Sequence, residues 1–204
     1  MSLSIREMSD HMISLSSPFR PARIDDAPAL ADLVDFAGEG LPSYLWAKMA
    51  QPGETAMDVG RRRAAREEGA FSYRNAVVAD LSAGAIAMLV GYPVGDTPEP
   101  IGADMPAMFV PMQELENLAC GTWYVNVLAA YPEHRNRGLG GQMLGLAEQW
   151  MHATGRSGLS VIVSDANHGA RRLYERHGYR FRAQRHMVKE EWENPGTNWV
   201  LLTK

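Results

Sequence analysis

Between Pro132 and Gly145 the chain reads PEHRNRGLGGQMLG, with glycines at 138, 140, 141 and 145. Glycine inside a helix costs about 0.5 to 1 kcal/mol relative to alanine. A helix that starts with several of them gives up that stability for close approach of its backbone to another group. The first N–H groups of a helix have no partner within it and lie at the positive end of its dipole. A helix start stripped of side chains and flanked by Arg135 and Arg137 therefore suits a phosphate or another anion. Gly138, Gly140 and Gly141 are the positions of closest approach, and Gly145, one turn deeper, points to close packing or to further access. Two phosphate motifs are excluded. Counting from Gly138, the sixth position of Gly-x-Gly-x-x-Gly is Met143, and the stretch has no lysine for the Gly-Lys-Ser/Thr of a P-loop. What remains is Arg-x-x-Gly-x-Gly, from Arg135 to Gly140, which by itself also fits a glycine-rich helix start that binds nothing.

The remaining reactive residue types narrow the chemistry. Cys120 is the single cysteine, so no internal disulfide forms, and beside a turn it reads as a small buried residue and not as a covalent nucleophile. The six histidines are scattered without metal-ligand spacing, so no metal is expected. A formal charge of −4 argues against nucleic acid or an anionic membrane as the main partner. No apolar run approaches the roughly 20 residues of a membrane span, and the first residues carry acids and lack an apolar core. A cytoplasmic setting follows as the expectation.

The elements that must hold the glycine turn can be read from periodicity. With 46% apolar residues the chain supports one core, expected over residues 18–204 as a single domain behind a flexible tail of residues 1–17. Phe19 to Ala22 reads as a strand. Asp25 or Asp26 then caps a helix with Pro28 in its first turn and a stripe of Leu30, Leu33, Val34 and Ala37. Residues 40–70 read as a mostly helical insertion whose run GRRRAAREEG is a solvated helix face, with contact to a ligand phosphate as the alternative. NAVVADLSAGAIAMLVGY is a hairpin turning at DLSAG. Residues 93–112, rich in Pro, Gly and Met, form an irregular excursion before a short helix near Gln113 to Leu118. GTWYVNVLAAY is a strand, residues 139–153 a helix, GLSVIVS a buried strand and residues 168–177 a helix ended by His177 and Gly178. Residues 179–189 and 198–203 are the closing strands. Strand, helix, strand in the middle is a βαβ unit, and the whole is α/β around a mixed sheet of about six to seven strands flanked by helices.

VNVLAAYPEHRNRGLGGQML, followed about thirty residues later by VSDANHGARRLYERHGYR, resembles the GNAT superfamily of N-acetyltransferases. The first stretch is similar to its acetyl-CoA pyrophosphate motif and the second to its Asn-x-x-Ala-x-x-Leu-Tyr motif. FRPARIDDAPALADL is similar to the way the family opens. The resemblance is specific over residues 120–182; it leaves residues 38–72 and 93–118 unexplained. It implies a βαβ acetyl-CoA-binding core in which the backbone amides of Asn136, Arg137, Gly138, Leu139, Gly140 and Gly141 cradle the pyrophosphate, helped by the charge of Arg135 and Arg137. Leu128, Ala129 and Ala130 would line the pantetheine arm along a strand that splays from its parallel neighbour. Asn167 matches a position that reaches the pantetheine, and it equally suits a helix N-cap. Tyr174 matches the tyrosine near the CoA sulfur. A phenol of ordinary pKa about 10 is protonated at neutral pH and can donate to a departing thiolate; the same residue also fits an amphipathic core aromatic.

The implied activity is direct acetyl transfer from the thioester of acetyl-CoA to an amine, with acetyl-CoA as cosubstrate and no metal. A strand amide near Leu128 to Ala130 would stabilise the oxyanion. The acceptor is left as a small-molecule or protein amine. Glu114, Glu116, Glu133 and Asp165 are the acids near the site by sequence, and none is assignable as the base. Glu39, Tyr44 and Trp46 are candidates for holding an amine by charge and cation-π contact, with surface and core the preferred reading. A non-catalytic acetyl-CoA sensor is the competing function, a domain binding another phosphate ligand is a third, and WENPGTNWVLL leaves room for a homodimer.

Overall fold

The computed structural model describes Ile5, residues 13–81 and residues 84–204. Most of the expected tail, and Ser82 and Ala83 of the expected hairpin turn, lie outside the described residues. Of the tail's described residues, Ile5 and Ile13 are buried. Among the described residues seven strands, β1 (Phe19–Pro21), β2 (Ala76–Asp80), β3 (Ala85–Pro93), β4 (Trp123–Ala130), β5 (Leu159–Ser164), β6 (Arg180–His186) and β7 (Asn198–Thr203), run in the order β1-β2-β3-β4-β5-β7-β6 in a mixed sheet flanked by helices, as the α/β reading expects. Two compact units divide the chain, one of Met1–Tyr92 with Val127–Met143 and one of Pro93–Asn126 with Leu144–Lys204.

In the first unit, β1 (Phe19–Pro21), β2 (Ala76–Asp80) and β3 (Ala85–Pro93, of which the first eight residues fall here) form antiparallel pairs. Beyond Ile5, the helices described with them are α1 (Ala27–Ala37), α2 (Leu41–Met49) and α3 (Ala56–Ala64). The stripe on α1 is buried at Leu30, Leu33 and Val34 and joins Val78, Met88 and Val90 in one core. Fully burying such a side chain is worth about 1.5–3 kcal/mol. Asp26 departs from expectation. It stands before α1 but makes no side-chain cap. Its carboxylate instead accepts from the Arg20 guanidinium at 2.7 and 2.8 Å and from the Arg23 amide at 2.7 Å. Arg20 also reaches Asp80 at 2.8 Å, so a cation shared by two carboxylates outcompetes the local cap. The 40–70 insertion is two helices, and α3 ends at Ala64, leaving Glu67 and Glu68 outside it. Arg61 and Arg62 are exposed, as a solvated face requires.

The second unit contains α4 (Val110–Asn117), the first four residues of β4 (Trp123–Ala130) and all but the first turn of α5 (Leu139–Ala153). It also holds β5 (Leu159–Ser164), α6 (His168–Arg176), β6 (Arg180–His186) and β7 (Asn198–Thr203). β4 and β5 are parallel, as the βαβ reading requires. Trp123 and Trp150 are fully buried and stack at 5.8 Å, which adds about 0.5–1.5 kcal/mol beyond their burial. The expected closing strand 179–189 ends at His186. β7 does not close the edge: it lies between β5 and β6 and pairs antiparallel with both. The excursion is irregular up to α4, and Asn117 staples it by accepting from Glu99 N at 2.9 Å and donating to Glu99 O at 2.8 Å.

Candidate functional site

The glycine turn belongs to the first unit. Pro132 opens a single 3-10 turn, Pro132–His134, directly after β4 and Tyr131. Asn136 follows at φ +60° and Gly138 at φ +81°. Left-handed backbone is tolerated by asparagine and open to glycine at no side-chain cost. α5 begins at Leu139, its first bond running from the Gln142 amide to the Gly138 carbonyl at 3.1 Å. Among the described residues, the backbone N–H groups of Asn136, Arg137, Gly138, Leu139, Gly140 and Gly141 have no hydrogen-bond partner. Six consecutive free donors at a helix start, three of them in the first helical turn, make a strong anion-binding surface. The side chain of Leu139 is buried and pins the helix start, while Arg135, Asn136, Arg137 and Gly138 are exposed.

Both arginines brace this loop as well as charging it. Arg135 Nε donates to Ala130 O at 3.1 Å, and Arg137 Nη2 donates to Glu133 O at 2.9 Å. Among the described residues neither forms an ion pair with a carboxylate, and both set positive charge beside the free amides. At Gly145 a Cβ would meet no atom within 4 Å, so close packing is not its purpose and its surroundings are open. On β4, Leu128, Ala129 and Ala130 are all half-buried. Ala129 packs with Val127 and Tyr131 against the core of the first unit, and strand alternation turns Leu128 and Ala130 to the other face. The ladder between β4 and β5 covers only Trp123–Val125 against Leu159–Val161.

Asn167 and Tyr174 belong to the second unit, at the start of α6 and two turns along it. Asn167 caps the helix: its side-chain oxygen accepts from the Ala170 amide at 3.1 Å. Tyr174 is buried, with its ring 5.4 Å from that of Tyr179. Burial pushes its phenol up from the ordinary value of 10, which keeps it a proton donor at neutral pH. Tyr124, on β4, is also buried. Its phenol is pushed up by that burial, by Glu116 and by Tyr174, while a hydrogen bond with the Ile162 backbone works against them. Gly178, at φ +89°, ends the helix as expected, and the His177 ring Nδ1 lies 2.9 Å from Leu173 O.

Two of the other acids, Asp165 and Glu114, have structural work. Asp165 accepts from the Thr197 and Asn198 amides and from both side chains at 2.9–3.1 Å. Burial raises its carboxyl, but these hydrogen bonds outweigh it and hold the pKa at about 2. Glu114 pairs with Arg185 at 2.5 Å. The Cys120 thiol donates to Asn117 O at 3.2 Å. Trp46 follows the preferred core reading and not the amine-holding one. It is buried in the core, stacked on Phe71 at 6.0 Å, and a Cβ at Gly60 would come within 2.4 Å of its ring. Lys48 already lies over the Tyr44 ring, 4.3 Å from its centroid. Among the described residues no group of three or more His, Cys, Asp or Glu is placed to hold a metal, and no helix is long and apolar enough to cross a membrane.

Two tyrosines escaped the sequence reading, Tyr124 and Tyr131. The alternation of WYVNVLAAY puts Tyr124 on the face of Leu128 and Ala130 and Tyr131 on that of Ala129, a signal sufficient to flag both. Nothing local marks Asp32, which accepts the Tyr131 hydroxyl at 3.1 Å from 99 positions away.

Residues 86–179 match the sequence model of the acetyltransferase (GNAT) family. Among solved structures, an acetyltransferase is 19% identical with a TM-score of 0.62, covering 92% of this chain and 98% of its own. An N-acetyltransferase from Staphylococcus aureus Mu50 is 15% identical with a TM-score of 0.60, over 91% and 99%. A mosquito arylalkylamine N-acetyltransferase like 5b is 16% identical with a TM-score of 0.61, over 91% and 98%. No curated protein sequence matches the chain. At these identities the structural likeness concerns the fold. Residues 86–179 thus match the acetyltransferase (GNAT) family, in a chain that over most of its length shares the fold of these solved acetyltransferases.

Proposed function

We propose that the protein is an acetyl-CoA-dependent N-acetyltransferase that moves an acetyl group directly from the thioester to an amine of a small molecule or a protein. The observation that carries this reading is the run of six amides from Asn136 to Gly141, beside Arg135 and Arg137, that have no partner among the described residues. Such a surface fits a pyrophosphate, whose several oxygens can each take one or two donors. Bound there, acetyl-CoA supplies an activated acyl group and a thiolate leaving group.

The chain's own residues do the rest. Asn136 to Gly141 bind the pyrophosphate through their amides, with Arg135 and Arg137 adding charge. The backbone edge of Leu128, Ala129 and Ala130 orients the pantetheine arm as a further strand would, and an amide of this edge donates to the carbonyl oxygen as charge develops on it. Asn167 keeps α6 in place through its cap and offers its side-chain N–H₂ to the arm. Tyr174 holds its proton because it is buried and gives it to the sulfur as the C–S bond breaks, while the proton that the amine nitrogen loses as the C–N bond forms restores the phenol. Asp165, carrying four hydrogen bonds at a carboxyl held near 2, is too weak a base to take the amine's proton.

Thiol release from acetyl-CoA across a panel of alkylamines, arylalkylamines, amino acids, aminoglycosides and basic peptides tests the reading, with calorimetry of acetyl-CoA binding alongside. Amine-dependent release is expected, together with its loss in Tyr174→Phe. Binding without release from any amine would establish a sensor instead, and no binding heat would refute acetyl-CoA as the ligand.

A further inference from the structure

We infer that Tyr131 and Asp32 form a positioning pair that sets where the amide cradle begins, so that affinity for the pyrophosphate ligand depends on a side chain of α1. The inference rests on reading residues 136–141 as the pyrophosphate site. Tyr131 is the last residue before the turn that leads into the cradle, and all three of its polar groups are engaged. Its amide donates to Ile86 O on β3 at 3.0 Å, its carbonyl accepts from His134 N at 2.9 Å, and its hydroxyl donates to Asp32 Oδ2 at 3.1 Å. The ring packs on the core of the first unit and meets Phe36 of α1 edge-on, centroids 6.0 Å apart. One residue earlier, Ala130 O receives the Arg135 side chain, closing the loop back on its strand.

The hydroxyl is what needs explaining. Phenylalanine would fill the same core space and make the same ring contact, so the oxygen adds only the tie to Asp32. A hydrogen bond to a carboxylate is roughly twice as strong as one between neutral groups. Burial, with Asp32 adding to it, pushes the Tyr131 phenol up to about 12, so the hydroxyl remains the donor. The tie acts on the chain immediately ahead of the left-handed residues Asn136 and Gly138. Slack introduced there lets them relax and aim their amides apart, and that lost pre-organisation is paid at binding.

Tyr131→Phe isolates the hydroxyl. Calorimetry with acetyl-CoA is expected to show about tenfold weaker binding, equal to 1.4 kcal/mol. The KM for acetyl-CoA should rise by the same factor with kcat unchanged for an amine the wild-type protein acetylates. In the unliganded protein, trypsin should cut faster after the exposed Arg135 and Arg137, with the melting temperature nearly unmoved. Asp32→Asn should move both readouts in the same direction, and the double variant should bind no more weakly than Tyr131→Phe alone. Wild-type affinity together with a wild-type cutting rate in Tyr131→Phe would overturn the inference. Failure of the acetyltransferase reading is separately visible, as an absence of binding heat in the wild-type protein.

Discussion

Replacing Gly138 by alanine asks whether the conformation of the backbone, and not just local positive charge, makes the cradle. Gly138 sits at φ +81°, and a Cβ built there would meet only the Gln142 side chain, at an ordinary 3.7 Å. No clash contributes, so the cost is that of holding an L-residue left-handed, about 1–2 kcal/mol. That cost can be spent in two ways. If the loop keeps its shape, the strain is present with and without ligand, affinity is unchanged and the melting temperature falls by about 2–8 °C. If the loop relaxes, stability is retained and the amides of residues 136–141 lose their common aim, which weakens acetyl-CoA binding by up to about 5–30-fold. Thermal melts and calorimetry on the same samples measure both shares, and together they should account for the 1–2 kcal/mol. Gly145→Ala is the matched control: it lies inside α5 with no atom within 4 Å of the new Cβ, so helix propensity alone should stabilise it by about 0.5–1 kcal/mol. A Gly138→Ala protein that melts and binds like wild type would refute the argument, because the left-handed residue would then be dispensable.

Tyr174→Phe should lower amine-dependent thiol release by about 10²–10⁴-fold while leaving acetyl-CoA affinity unchanged. Because burial raises the Tyr174 phenol above 10, its donor form persists to high pH, and the wild-type rate should show no alkaline limb below about pH 10 that disappears in this variant. Arg20→Met leaves Asp26 and Asp80 without their shared cation, at 9% and 25% side-chain exposure. Urea unfolding should show a loss of about 2–3 kcal/mol, and a loss below 1 kcal/mol would mean that the network is solvated. Asp165 has its folded pKa depressed from 3.8 to about 2. Its stabilisation is therefore full above the unfolded value and is lost as pH falls from about 4 to about 2. Asp165→Asn should be less stable than wild type at pH 7, and the gap should close towards pH 2; a gap independent of pH would contradict the assignment.

What was legible in the sequence is what the chain encodes locally. α5 was readable over 139–153 because its apolar period and its glycine start coincide. α6 was readable because Asn167 caps it and Gly178 must be left-handed after it. What escaped depends on partners that arrive from elsewhere. Asp26 satisfies every local rule for a helix cap, yet Arg20, itself anchored to Asp80 60 positions on, takes its carboxylate. Trp46 fits an amine-holding side chain as well as a core one by its local sequence, and Gly60, on the next helix, supplies the space that lets it be buried. β7 has the alternation of a strand, but alternation does not say that it will lie between β5 and β6.

The same division explains why the proposed cofactor was readable and the acceptor was not. Backbone donors can converge on one anion only if they are neighbours in the chain, since successive peptide units must turn together to aim their N–H groups. A pyrophosphate cradle is therefore written in contiguous residues, here 136–141. Discrimination among amines relies on side chains, which folding gathers from any distance and which leave no signature in a single stretch. Asp32 stands at the junction of the two. It adds a long-range side chain to an otherwise contiguous site, through the hydroxyl of Tyr131. If contiguity alone shaped the cradle, removing that hydroxyl would leave acetyl-CoA affinity untouched. The geometry instead makes the turn after β4 depend on α1, so Tyr131→Phe should weaken binding although neither Tyr131 nor Asp32 is among the residues proposed to touch the ligand.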